Sequence, residues 1–202
     1  PLHTTKAIIL RTVKYGETSL IVTAYTELFG LQSYMVQGVR TATKKGTGKA
    51  TYFQPGAVLE IVVYHNELKH LHRIKEFKWS YLYHTIFSSV EKNCVLLYIV
   101  ELLQKCIKQP EHNPDLFYFI EEVLMQLDNA DETITANLSI YFALHLAAFF
   151  GFQISDEQTL PILDLQEGKF TESYPQHVYY TDGKIAALIS EMLKVMQPAE
   201  LY

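Results

Sequence analysis

The feature that most constrains the fold is a change of hydrophobic period near Trp79. Before it lie five short runs rich in β-branched and aromatic residues: Ala7 to Val13, Leu20 to Tyr25, Gln32 to Val39, Val58 to Tyr64, and Leu71 to Phe77. They are separated by Tyr15-Gly16-Glu17, Leu28-Phe29-Gly30, a Gly-rich basic loop and His65-Asn66-Glu67, which is the composition of strands joined by turns. Leu59, Ile61 and Val63 share one face of the fourth run. In the fifth, Leu71, Arg73, Lys75 and Phe77 oppose His72, Ile74 and Glu76, so the charged side must meet solvent or a ligand. Five strands this close together predict a small barrel.

After Trp79 the spacing becomes helical. A first helix is expected from about Ser80 to Lys108, with a break near Ser88-Ser89, because Val95, Leu96, Ile99, Leu102, Leu103 and Ile107 recur at helical intervals. Asn113-Pro114-Asp115 opens a second, with proline near its first position. A third, Thr133 to Phe150, is apolar nearly all round and is expected at the centre of a helical body, closed by Gly151. Residues 152–180 have no sustained period and predict an irregular excursion before a last helix, about Lys184 to Met196. The fold class is therefore α+β: a barrel over 1–79 followed by an all-α domain over 80–202.

Charge divides along the same line. Residues 1–79 carry eleven Lys and Arg against five Glu and no Asp, whereas 80–202 carry six Lys, no Arg and seventeen acidic residues. The formal net charge of −5 thus hides a basic barrel and an acidic remainder, a pattern that points to a polyanionic partner. The loop from Gly38 to Lys49 holds four cations, Arg40, Lys44, Lys45 and Lys49, and three glycines. Such cations displace the counterions condensed on phosphates, the main source of sequence-independent nucleic-acid affinity. Arg11, Lys14, Arg73, Lys75 and Lys78 can widen the patch, and Tyr34, Tyr52 and Phe53 are candidate base-stacking rings, although each ring singly reads more readily as a core or rim residue.

Other chemistries find little support. No apolar run reaches the length of a membrane span and no signal-peptide pattern opens the chain, so a cytoplasmic location is expected. Cys94 and Cys106 lie in a predicted helix and read as reduced core thiols. Gly46-Thr47-Gly48-Lys49-Ala50-Thr51 has Thr43 and Ala50 where a phosphate-binding loop needs Gly and Ser or Thr. His65, His70 and His72 raise a metal question, but no Cys pair or Asp completes a ligand set, and exposed strand-edge histidines are the simpler account. His145 reads as a satisfied core histidine. There is no Gly-x-Ser-x-Gly elbow and no other nucleophile signature, so neither an enzyme nor a cofactor is expected.

Several short segments, taken in order, carry a resemblance: Ala7-Ile8-Ile9-Leu10-Arg11, Tyr15-Gly16-Glu17, Leu20-Ile21-Val22-Thr23, Thr26 with Gly30, and Gly38-Val39-Arg40. Together they resemble the N-terminal region of the RecO family of bacterial recombination mediators. Glu101-Leu102-Leu103, Asn113-Pro114-Asp115-Leu116-Phe117 and Phe150-Gly151-Phe152 are similar to its helical domain. The resemblance implies an N-terminal OB-fold with a helical domain behind it. It also implies binding of single- and double-stranded DNA, annealing of complementary strands, and work with RecR and single-strand-binding protein in loading recombinase onto gaps, in association with the nucleoid. It supports Arg11 and Arg40 most directly, while Lys44, Lys45 and Lys49 rest on loop electrostatics. Many members carry a four-cysteine zinc site after the third helix. Gln153 to Phe170 holds no Cys, so no zinc is expected. Members usually continue further, so a truncation at Tyr202 is expected. The competing reading is a protein-interaction adaptor whose basic barrel binds an acidic partner rather than DNA.

Overall fold

The computed structural model describes residues 1–41, 48–155 and 160–201. Five strands, β1 (Leu2–Tyr15), β2 (Ser19–Thr26), β3 (Gly30–Val36), β4 (Val58–Tyr64) and β5 (His72–Tyr81), close into a barrel in the order β1-β2-β3-β5-β4. All neighbours are antiparallel except β3 and β5. β1 is long enough to pair with β4 through its first half and with β2 from Ala7 to its end. A bulge between Ile9 and Arg11 supplies the bend such a double role requires. The expected run Ala7 to Val13 thus extends at both ends. Ile9, Leu20, Val22, Ala24, Leu59, Ile61, Val63 and Ile74 fill the interior, which is the period-2 set the sequence predicts for these strands.

The barrel, α1 (Val90–Cys106) and α2 (Pro114–Asn129 by its hydrogen bonds) make up a first compact unit, residues 1–128. Ile8, Leu10 and Val58 are fully buried yet lie outside the interior cluster. They belong to the outer side of the barrel, the side that the helices cover. Gln104 of α1 donates to the Leu10 carbonyl at 2.9 Å, and Tyr25 of β2 stacks on Phe117 of α2 with ring centroids 6.2 Å apart. At Gly56 a Cβ would run into the Leu96 side chain, and φ is +85°; glycine there lets α1 approach the barrel closely.

The first helix starts later than the sequence predicts. β5 runs on to Tyr81, and the helix begins at Val90, capped by the Ser89 hydroxyl accepting from the Lys92 amide. The reason is distant in sequence. The carboxylate of Asp128, 1% exposed, accepts from the backbone N–H groups of His84, Thr85 and Ile86 at 2.9–3.2 Å and from the Tyr81 hydroxyl at 3.0 Å. Those amides are engaged outside any helix. Burial pushes the Asp128 carboxyl up, but the hydrogen bonds outweigh it and hold the group below its ordinary value.

Residues 129–202 form the second unit. α3 (Glu132–Phe149) is capped by Asp131, whose side chain accepts from the Ile134 amide. Only one stripe of it, Thr135, Leu138, Tyr141, Phe142 and Leu146, is buried, and Ile140 is half exposed. The all-round apolar sequence therefore does not place this helix at a fully enclosed centre. The segment expected to be irregular contains three short strands, β6 (Ile162–Asp164), β7 (Lys169–Thr171) and β8 (Tyr180–Asp182), ordered β7-β6-β8. Their turn is held by Asp164, which accepts from the Gln166 and Glu167 amides at 2.9 Å. α4 (Gly183–Lys194) completes the unit. His145 is half-buried against Tyr141, its ring 4.3 Å away, and burial lowers its pKa.

Cys94 is exposed and Cys106 half-buried, both free, so neither is the core thiol the sequence suggests. Among the described residues no helix is long and apolar enough to cross a membrane, and no group of three or more His, Cys, Asp or Glu is arranged to hold a metal ion.

Candidate nucleic-acid interface

Strand alternation decides which barrel cations can meet a ligand. After the β1 bulge Thr12 turns inward, its hydroxyl donating to the carbonyl of interior Phe53 at 2.7 Å. Arg11 and Val13 therefore point outward. Leu20, Val22 and Ala24 fill the interior from β2, Tyr34 and Val36 from β3, and Ile74 from β5, which leaves Ile21, Thr23, Ser33, Met35 and Arg73 on the outer side. The registers assemble these into two rows, Arg11–Thr23–Ser33 and Val13–Ile21–Met35–Arg73. Arg11 and Arg73 are exposed and lie on β1 and β5, with the small hydroxyl and apolar side chains of β2 and β3 between them in the two rows.

The remaining predicted cations distribute differently. Lys14 is exposed near the end of β1, and Lys49 is exposed at the start of a short 3-10 helix, Lys49–Phe53. Arg40 is half-buried and donates to the Gly16 carbonyl at 2.7 Å, while the Val39 and Arg40 amides donate to Thr18. Arg40 thus ties the β1–β2 turn to the segment after β3. Lys44 and Lys45 lie outside the described residues. Lys75 is 3.2 Å from Glu76 and Lys78 is 2.8 Å from Glu60, its cross-strand partner. Both are exposed and each has an acidic neighbour, which Arg11 and Arg73 lack among the described residues. No ion pair involves Arg11, Lys14, Lys49 or Arg73 among the described residues.

Two of the three candidate stacking rings take the core position that the sequence favours for each ring singly. Tyr34 and Phe53 are core residues, 0% and 1% exposed, and burial pushes the Tyr34 phenol well above its ordinary value; neither ring has a face to offer a base. Tyr52 is half-buried and already stacks on Trp79 at 4.5 Å.

The histidines also differ from expectation. His72 is buried, not an exposed edge residue. Its Nδ1 accepts from the Asn66 amide at 3.4 Å, so its N–H lies on Nε2 and donates to Gln32 Oε1 at 3.0 Å. Phe29, His65 and His72 stack in a column with centroid separations of 3.8 and 4.4 Å. In this aromatic plug burial lowers the pKa of both histidines; His3 lowers that of His65 further against the opposing Glu67, and His65, His70 and Lys69 lower that of His72.

Beside this plug a cavity of about 520 Å³ opens onto the row that carries Thr23 and Ser33. Lys69 and His70 from the β4–β5 loop and Lys108 and His112 from the α1–α2 loop line it. These residues are missed by sequence reasoning because they come from loops 40 residues apart; the one available signal, the histidine cluster, points instead toward metal. Gly30 lets the α1–α2 loop approach the start of β3 closely. Its φ is +63°, and a Cβ there would overlap the Glu111 backbone.

Comparison with known proteins agrees with this architecture. The family model for Recombination protein O N terminal matches residues 2–83, and that for Recombination protein O C terminal matches residues 88–158. A DNA repair protein RecO from Christiangramia forsetii is 35% identical over 193 residues, 94% of this chain and 78% of that one. A second, from Flavobacterium psychrophilum, is 37% identical over 169 residues, 83% of this chain and 69% of its own length. A third, from Bacteroides fragilis, is 30% identical over 197 residues, covering 96% and 80%.

Proposed function

The chain belongs to the RecO family of DNA repair proteins, and from that premise we propose that its OB-type barrel captures DNA electrostatically, on single and double strands alike, and anneals complementary strands. Cations on the barrel hold two phosphate backbones without reading their bases, which lowers the mutual repulsion that opposes pairing. The observation that carries this reading is the outer face of β1, β2, β3 and β5, where Arg11 and Arg73 stand exposed and without an acidic partner among the described residues. Lys14, Arg40 and Lys49 extend it; Lys44 and Lys45, outside the described residues, are expected to add to capture by their charge. The surface is of the kind on which OB-folds bind oligonucleotides. No step of this action needs a catalytic group or a cofactor. In the bacterial cytoplasm, at the nucleoid, such a protein works with RecR and single-strand-binding protein to place recombinase on gaps.

Fluorescence anisotropy with mixed-sequence single and double strands over a salt series tests the first part. Affinity should fall steeply with salt, by about 0.7 log units per log unit of salt for each phosphate neutralised on a single strand. A stopped annealing assay with complementary strands tests the second. Undetectable binding to both forms at low salt would overturn the reading.

A further inference from the structure

We propose that the cavity between β2, β3, the β4–β5 loop and the α1–α2 loop receives one nucleotide of the bound strand, with its phosphate between Lys69 and Lys108. This inference rests on the DNA-capture reading and adds to it a defined site. The volume, about 520 Å³, lies in the range of small-ligand pockets, which are mostly apolar with a few placed polar groups. Leu31, Phe29 and Pro110 supply apolar wall, and the Thr23, Ser33 and Gln32 side chains supply hydrogen-bonding groups. Lys69 and Lys108 are exposed; Lys108 donates to the Gln104 carbonyl at 2.8 Å, and neither has an acidic partner among the described residues.

Two observations favour a nucleotide over a neutral ligand. Glu67 is the one acidic side chain lining the cavity among the described residues, against two lysines. The stacked rings of Phe29, His65 and His72 give the cavity a flat aromatic wall, against which a base can lie. Continuity favours DNA as the source: Thr23 and Ser33 belong both to the cavity wall and to the row headed by Arg11. A strand lying across that row passes the mouth of the cavity.

The test uses the full chain with two probes, thymidine 5′-monophosphate and an oligothymidylate of about twelve nucleotides, within the site sizes of OB-folds. The mononucleotide should shift the ring resonances of His70 and His112 in two-dimensional NMR spectra. Lys69→Gln with Lys108→Gln should abolish those shifts and weaken the oligonucleotide about tenfold, with a shallower salt dependence. Lys105→Gln with Lys184→Gln removes the same charge elsewhere and should change neither. Thermal melting of the pocket variant checks that it folds. Absence of mononucleotide shifts, their survival in the pocket variant, or their displacement by an acidic peptide but not by the oligonucleotide would each overturn the proposal. If the wild-type chain binds no oligonucleotide at all, the DNA-capture reading falls with it; if it binds and the pocket variant binds equally well, only the pocket falls.

Discussion

The two outer sides of the barrel are built from the same strands and treated in opposite ways. On the side under α1 and α2, apolar residues Ile8, Leu10 and Val58 are fully buried, and Lys6 of the same strand meets Glu121 at 3.0 Å. On the side of Arg11, Thr23, Ser33 and Arg73, no helix residue neutralises the charge among the described residues. Residues 1–128 as a whole hold fourteen Lys and Arg against twelve Asp and Glu. The basic surplus of the barrel is therefore largely balanced within its own unit, and what matters is where the balancing carboxylates sit. The comparison teaches that net charge by segment overstates the patch, and that pairing decides which cations remain available.

The covered side can be broken most severely at Gly30. Gly30→Ala demands a left-handed backbone from alanine, costing about 1–2 kcal/mol, and forces its Cβ into the Glu111 backbone. Together these should lower stability by about 3 kcal/mol or more, read as a fall in the denaturation midpoint. Asp128→Ala comes next, because it strands the amides of His84, Thr85 and Ile86; about 2–3 kcal/mol is expected, measured by urea unfolding.

Asp128 also sharpens the pH behaviour. Its folded pKa lies below the ordinary 3.8, so its contribution is complete above that value and disappears as pH falls through the folded pKa. The stability gap between wild type and Asp128→Asn should be widest near neutrality and should shrink below about pH 4. A gap that stays constant to pH 2 would remove the carboxylate from the account. The smallest effect is expected on the paired cations. Lys75→Ala with Lys78→Ala deletes two exposed ion pairs and should change stability by about 1 kcal/mol or less.

Much of the barrel was legible in the sequence, for a physical reason: alternation reports which residues go inward, and β4 runs from Val58 to Tyr64 as its pattern predicts. α1 starts at the break that Ser88-Ser89 signals, but the non-helical course of the residues before it was not legible, because the carboxylate that holds residues 84–86 lies more than forty positions away. Register was equally hidden, so the neutralisation of Lys78 by Glu60 across the β4–β5 ladder could not be read from composition. For Tyr34, Tyr52 and Phe53 a sequence shows that a residue is aromatic and not which way it faces, so only the structure separates the buried Tyr34 and Phe53 from the half-buried Tyr52. The strands of the second unit are three residues each, too short to establish a period. The pocket beside the plug is lined from two loops far apart in sequence, a juxtaposition no local pattern encodes.

The most direct test compares Arg11→Ala with Arg73→Ala against Lys75→Ala with Lys78→Ala, two variants that each lose two positive charges from the barrel. In a salt series with a single-stranded oligonucleotide, the arginine variant should lower the slope of log affinity against log salt by about 1.4, and the lysine variant by far less. Equal changes in the two slopes would mean that total charge, and not the unpaired cations of the open side, governs capture, and would contradict the account.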